Sequence, residues 1–90
     1  MSRYMVIETF HDDCLDKVYH RFQQKGRMLP DGLHYLDSWL TRDGARCFQL
    51  METERFELFA QWFKNWDDLT HFEVFEIGQK PTYTQSQADS

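Results

Sequence analysis

Hydrophobic residues along the chain follow two kinds of pattern, one typical of strands and the other typical of helices. Residues 3–10, 33–41, 46–52 and 71–77 are rich in aromatic and β-branched side chains or alternate between apolar and polar positions, which predicts strands. Residues 14–25 and 54–69 repeat apolar side chains at intervals of three and four, which predicts two amphipathic helices. The order strand, helix, strand, strand, helix, strand predicts an α+β, ferredoxin-like βαββαβ domain, with a four-stranded antiparallel sheet and both helices on one face.

Polar residues mark the ends of these segments. We predict that Asp13 caps the first helix, that Gly26 ends it and that Thr53 caps the second helix. Asp43 and Gly44 form the predicted turn of a β-hairpin between the second and third strands.

The hairpin is apolar on both faces. With a two-residue turn, Trp39 pairs with Phe48, Asp37 with Leu50 and Tyr35 with Glu52, whereas a three-residue turn would shift the pairing by one. One face then carries Tyr35, Asp37, Trp39, Phe48, Leu50 and Glu52, and the other carries Leu36, Ser38, Leu40, Cys47, Gln49 and Met51. Neither face has the polar character of a solvated sheet. We therefore expect the face without helices to pack on a second copy, giving a homodimer with a barrel-like interior as the candidate pocket.

Carboxylates and aromatic rings on the first of these faces form the strongest chemical constellation. Asp37 and Glu52 are the candidate catalytic residues, because a carboxylate in a water-poor pocket has a raised pKa and can take a proton from an acidic carbon or a phenol. The candidate ligand-binding residues are Trp39, Tyr35, Phe48, Glu8 and Glu73. The commoner alternative is structural, with Glu52 and Tyr35 facing water at a strand end and Asp37 bonded to a backbone amide or to Arg27.

Three further polar residues leave alternatives open. Gln49 and Ser38 share the opposite face, where they either line the pocket, if the two faces are reversed, or satisfy each other beneath the helices. Arg27 follows the first helix and either binds an anion or caps the last helical carbonyls, of which capping is the commoner role.

The histidines and cysteines predict no metal site and no nucleophile. His11, His20, His34 and His71 are spread along the chain without zinc-type spacing. Cys47 lies on a buried strand, and acidic neighbours oppose thiolate formation at Cys14. We expect no metal and no cofactor.

Composition excludes one class of partner and bounds the domain. The chain has 90 residues and a formal net charge of -5, which disfavours nucleic acid as a partner. It has no long apolar run, so no membrane partner is predicted and a cytoplasmic location is expected. Residues 1–78 are predicted to form the single domain and residues 79–90 a mobile polar tail.

Several motifs together resemble a known bacterial family. The segments GRMLPDGLHYLDSW and RCFQLMET, the Trp-rich helix and HFEV are similar to domain of unknown function 3303, within the dimeric α/β-barrel superfamily. The resemblance implies the ferredoxin-like fold and a homodimer, and it carries no activity. Haem enzymes of that superfamily use a helical histidine, and the absence of one from the second helix here argues against haem binding, although His20 and His71 stay open as ligands.

Three functions are consistent with these features. The first is a homodimer that binds a small apolar or aromatic molecule in a pocket on the helix-free sheet face. The second is a cofactor-independent monooxygenase or isomerase that uses a pocket carboxylate as its base. The third is a structural dimer whose interior is filled by its own side chains.

Overall fold

The computed structural model describes residues 1–12 and 14–81. The elements in chain order are β1 (Ser2–Phe10), α1 (Leu15–Lys25), β2 (His34–Leu40), β3 (Arg46–Thr53), α2 (Leu58–Phe63) and β4 (Thr70–Ile77). This order and a single four-stranded antiparallel sheet confirm the ferredoxin-like α+β prediction. The predicted cap Asp13 and residues 82–90 of the predicted tail lie outside the described residues.

The sheet has the strand order β2-β3-β1-β4, so β1 and β3 are central and β2 and β4 are the edges. Tyr4, Val6 and Glu8 on β1 are buried and point to one face. Pairing of Val6 with Gln49 and with Val74 places those residues on the same face, which we call the helix-covered face. The opposite side of the sheet is called the helix-free face.

The hairpin register is as predicted near its turn and differs at its far end. Trp39 pairs with Phe48 and Asp37 with Leu50, as predicted. The register then shifts between Tyr35 and Asp37, so that Tyr35 pairs with Met51 rather than with Glu52. The predicted position of Tyr35 beside Glu52 was therefore wrong, because an extra residue in the strand moves every earlier side chain to the other face.

The helix α2 covers its part of the sheet with a dense aromatic core. Phe59 and Trp62 are fully buried, and the Tyr4 ring meets Phe59 edge-on with the ring centroids 5.1 Å apart. Phe63 stacks on Phe72 at 4.1 Å. Burial of rings of this size is a major stabilising contribution in a domain this small, and it fixes α2 on the sheet.

The helix α2 is shorter than its apolar stripe predicts. Thr53 is the last residue of β3 and does not cap α2, since its hydroxyl donates to the Gly32 carbonyl and accepts the Arg55 N–H. Beyond Phe63 the backbone makes tight turns, in which Trp66 N–H donates to the Phe63 carbonyl at 2.9 Å. The aromatic spacing therefore continues through turns that bring Trp66 onto the core without a continuous helix.

Candidate functional site

A cavity lies between α1 and the helix-covered face. Its volume is about 380 Å³, within the range of small-molecule pockets. The residues that line it are Glu8, Phe10, Val18, Tyr19, Phe22, Arg27, Ser38, Leu40, Cys47, Gln49, Trp62 and Trp66. No residue of α1 is fully buried, and the ring of Phe22 is 40% exposed. The apolar face of α1 therefore covers this cavity instead of packing tightly on the sheet.

The sheet beneath the cavity carries polar side chains where a packed core would carry apolar ones. Glu8 and Cys47 are paired across β1 and β3, and Gln49 follows two residues along β3. Gln49 is only 6% exposed, and its Oε1 has no hydrogen-bond partner among the described residues. An unpaired buried acceptor costs about 1–3 kcal/mol, so the free energy favours a turn of the Gln49 side chain that brings Oε1 within reach of a donor in the cavity.

Burial alters the acid chemistry of this floor. Burial raises the pKa of the Glu8 carboxyl above its ordinary value, while Gln49, Cys47 and the charge of Arg27 oppose that rise. Burial, followed by the charge and hydrogen bond of Glu8, raises the pKa of the Cys47 thiol to about 11. Cys47 is therefore a thiol at neutral pH and a poor nucleophile, whereas Glu8 is the titratable carboxyl that could exchange a proton in the cavity.

The loop after α1 is fixed by side chains from the other half of the domain. The indole N–H groups of Trp62 and Trp66 both donate to the Arg27 carbonyl, at 2.8 and 3.0 Å. Asn65 Nδ2 donates to the Met28 carbonyl at 3.2 Å. Met28 has a φ of 59°, in the left-handed region that non-glycine residues rarely occupy. Three side chains thus hold a strained backbone turn, a feature that is frequent at binding sites.

This turn places the Arg27 guanidinium between aromatic rings. Its Cζ lies 3.5 Å from the centroid of the Tyr35 ring and 5.0 Å from that of Phe22. Its charge acts on both Glu8 and Cys47, but among the described residues it has no hydrogen bond and no carboxylate partner within ion-pair distance. Neither the capping role nor an internal ion pair accounts for the guanidinium, and its five donors are available to a ligand.

Five of the predicted site residues lie on the helix-free face. These are Asp37, Glu52, Trp39, Phe48 and Glu73. The Asp37 carboxylate accepts the N–H of Ser38 at 2.8 Å, and Glu52 lies 3.4 Å from Arg3 Nε. Catalytic or ligand-binding roles for these five residues remain predictions, because a pocket on this face needs a second copy of the chain.

Tyr35 and Glu8 lie on the helix-covered face, contrary to prediction. The hairpin bulge moves Tyr35, whose hydroxyl is hydrogen bonded to Ser38 Oγ at 2.5 Å. Glu8 is paired with Phe72 as well as Cys47, which places it under the helices. Neither alternative predicted for Gln49 and Ser38 matches the structure, because both residues lie beneath the helices, where they line the cavity under α1 and their side chains do not bond each other.

The proximity of Glu8, Gln49 and Arg27 was not predicted from the sequence. A signal was present in the alternation of strands β1 and β3, which places Glu8 on the same face as Val6 and Gln49 on the same face as Met51. An acid and an amide in two core-facing positions predict a polar pocket floor. The indole bonds to the Arg27 carbonyl left no comparable signal, because they join residues 35 and 39 positions apart.

Residues 1–12 and 14–81 contain neither a metal-type cluster nor a membrane-spanning helix. No group of three or more His, Cys, Asp or Glu side chains there could hold a metal ion. No helix in these segments has the length and hydrophobicity needed to cross a membrane.

Comparison with known proteins identifies a family without a described activity. The sequence pattern of DUF3303, a domain of unknown function, matches residues 2–77, which include every strand and helix of the fold. A search of curated proteins found no match. The chain belongs to the DUF3303 family.

Proposed function

We propose that the protein binds a small planar molecule in the cavity beneath α1. The observation that carries this proposal is the incomplete packing of α1 over the polar side chains of Glu8 and Gln49. Burying an amide and an acid beneath an apolar helix face costs free energy, and a purely structural core would avoid that cost. The aromatic walls formed by Phe22, Trp62 and Trp66 favour a flat ligand.

Leu40 and Leu36 provide a matched pair for testing this proposal. Both are on β2 and are 44% and 41% exposed, but only Leu40 lines the cavity. We expect methyl 4-hydroxybenzoate to shift the backbone amide signals of Glu8, Cys47 and Gln49 in heteronuclear NMR spectra. The Leu40→Trp variant should weaken this binding at least about tenfold by narrowing the cavity, and Leu36→Trp should not. Unchanged spectra with this ester and with the acids tested below would contradict the proposal.

We also propose that two copies associate through the helix-free face. Its apolar residues are Met5, Ile7, Trp39, Phe48, Leu50, Phe75 and Ile77. Trp39 is 51% exposed and Phe75 53% exposed in the single chain, and large exposed rings on one sheet face favour an interface. Analytical ultracentrifugation should give a dimer that Phe75→Lys converts to a monomer. Phe56→Lys, at an exposed ring outside the sheet, should leave the dimer intact, and a wild-type monomer at all concentrations would contradict association.

A second candidate function is proton transfer without a cofactor. The buried Glu8 carboxyl, whose pKa is raised, favours this chemistry. The ionised carboxylate would take a proton from an acidic carbon of the ligand and return it, or a solvent deuteron, to that carbon. Wild-type protein in D2O should then accelerate deuterium incorporation next to the carbonyl of 2-tetralone. Equal rates with Glu8→Gln would leave ligand binding as the only proposed activity.

A further inference from the structure

Two polar groups that line the cavity have no hydrogen-bond partner within residues 1–12 and 14–81, and they differ in the kind of partner that they require. The Arg27 guanidinium offers donors with a positive charge. Gln49 Oε1 is an acceptor with almost no accessible surface, and a ligand reaches it when the Gln49 side chain turns toward the cavity. A ligand that satisfies both must carry an anion or strong acceptor and, separately, a hydrogen-bond donor. These requirements define a chemical class more narrowly than the shape of the cavity does.

The second arginine near the cavity shows what Arg27 lacks. Arg21 on α1 also lies near an indole, with its Cζ 5.6 Å from the Trp66 ring. Its two terminal nitrogens each lie 2.8 Å from an oxygen of Asp68, and one also donates to the Asn65 carbonyl. A bidentate carboxylate of this kind is the preferred partner of a guanidinium. Arg27 is stacked on Tyr35 at 3.5 Å, and its in-plane donors have no such carboxylate among the described residues.

We propose that the cavity takes a small planar carboxylate bearing a hydrogen-bond donor, with the carboxylate on the Arg27 guanidinium and the donor on Gln49 Oε1, which the Gln49 side chain turns toward the ligand. This inference rests on the proposed binding function of the same cavity. The indole bonds that fix the Arg27 backbone reduce the entropy lost when the guanidinium is ordered by a ligand. Phe22 and Trp62 would enclose the planar frame.

The protonation state of Glu8 affects binding of the proposed carboxylate ligand, because Glu8 lines the same cavity. An ionised Glu8 would repel a carboxylate, whereas a protonated Glu8 would not and could donate a hydrogen bond. The charged and titratable groups that act on Glu8 are Arg27 from the loop after α1 and Cys47 from β3. Placing an anion on Arg27 favours the protonated form of Glu8, so the site accommodates one negative charge more readily than two.

Three probes separate the two parts of the inference. They are 4-hydroxybenzoate, its neutral methyl ester and benzoate, which lacks the hydroxyl donor. We expect 4-hydroxybenzoate to bind at least about tenfold more tightly than the ester, by isothermal titration calorimetry or NMR titration, since charge-assisted hydrogen bonds to arginine are the stronger kind. It should also bind about fivefold or more tightly than benzoate, which leaves Gln49 Oε1 unpaired.

Two variants assign these preferences to residues. Arg27→Met keeps an apolar side chain on Tyr35 and should remove the preference for acid over ester, whereas Arg21→Met should keep it. Gln49→Leu should remove the preference for 4-hydroxybenzoate over benzoate. Each readout is a ratio within one variant, so a partial loss of stability does not imitate the expected result.

The outcomes distinguish this inference from the function on which it rests. If the ester binds in the cavity as tightly as the acid, and Arg27→Met changes neither affinity, the cavity binds planar molecules and the carboxylate assignment is overturned. If none of the three probes perturbs the amides of Glu8, Cys47 and Gln49, the binding function itself fails. Binding of 4-hydroxybenzoate that survives Gln49→Leu with its preference over benzoate intact would overturn the donor assignment alone.

Discussion

The two helices cover the same sheet face in different ways. The side chains of α2 interlock with the sheet, and Phe59 and Trp62 are each 1% exposed. The side chains of α1 stand over a cavity with Glu8, Cys47 and Gln49 on its floor, and no α1 residue is fully buried. The difference is one of sheet chemistry, because apolar Tyr4, Val6 and Met51 give way to polar residues nearer the other end of β1 and β3. One half of the domain carries the packed core, and the other half holds the cavity in which ligand binding is proposed.

The sharpest test of this contrast compares two rings that both line the cavity. Trp62→Ala should lower the free energy of unfolding by about 3–5 kcal/mol, since it removes a buried ring and a hydrogen bond to the Arg27 carbonyl. Phe22→Ala should cost at most about 1 kcal/mol, because the Phe22 ring is already 40% exposed. Urea denaturation of the two variants measures both changes.

Trp62→Phe serves as the control for the indole hydrogen bond. Trp66 still donates to the Arg27 carbonyl in this variant, so the loss should be smaller than for Trp62→Ala. Equal costs for Trp62→Ala and Phe22→Ala would show that α1 is packed as tightly as α2 in solution, and the division of the domain into two halves would then be wrong.

The same contrast explains which features could be predicted from the sequence. The aromatic stripe from Phe56 to Trp66 and the alternation in β4 are local, and they gave the element order and the confirmed fold. The pairing of Trp39 with Phe48 followed from a turn close in sequence. Local periodicity therefore determines most of the architecture.

The candidate site depends on contacts that local periodicity does not contain. The register shift between Tyr35 and Asp37 is an irregularity of one residue. Because the sequence pattern does not show it, the Tyr35 ring was predicted on the wrong face of the sheet. The backbone turn that presents Arg27 requires two indoles and an amide from the segment that follows it by more than 30 residues. Even with Glu8 and Gln49 assigned to one face, their burial beneath a loosely packed helix emerges only when the elements are assembled.

The floor of the cavity offers a second way to sharpen the comparison. Glu8→Gln should raise the free energy of unfolding at pH 7 by on the order of 1 kcal/mol, because it removes a buried carboxylate that the folded state holds unfavourably. Glu54→Gln, at an exposed position after β3, should change stability by less than about 0.5 kcal/mol. Thermal and urea unfolding measure both variants.

The contribution of Glu8 to the pH dependence of stability has a defined sign. Because the pKa of Glu8 is raised above its ordinary value of 4.5 in the folded state, Glu8 keeps its proton to a higher pH in the folded chain than in the unfolded chain. Glu8 therefore makes the free energy of unfolding fall as pH rises from about 4.5 to beyond its folded pKa. The difference between wild type and Glu8→Gln should grow across this window. A constant difference, or one that shrinks, would show that Glu8 is well solvated and that the floor is not a dry polar cavity.

The smallest expected effect concerns the ion pair that ties α1 to the turn after α2. Arg21 reaches Asp68 with two contacts of 2.8 Å, and the hydrogen bond from Arg21 lowers the pKa of the Asp68 carboxyl. Both groups contact solvent, so a double-mutant cycle of Asp68→Asn and Arg21→Met should give only about 0.3–1 kcal/mol, less in high salt. This contribution is present above the ordinary Asp68 pKa of 3.8 and is lost as pH falls through the lower folded value.

Hydrogen exchange should quicken in α1 and not in α2 when the Arg21–Asp68 pair is removed. A coupling above about 2 kcal/mol would mean that the Arg21–Asp68 ion pair holds α1 on the sheet as firmly as aromatic packing holds α2. The cavity would then have a rigid wall, and α1 would not be a loosely held helix.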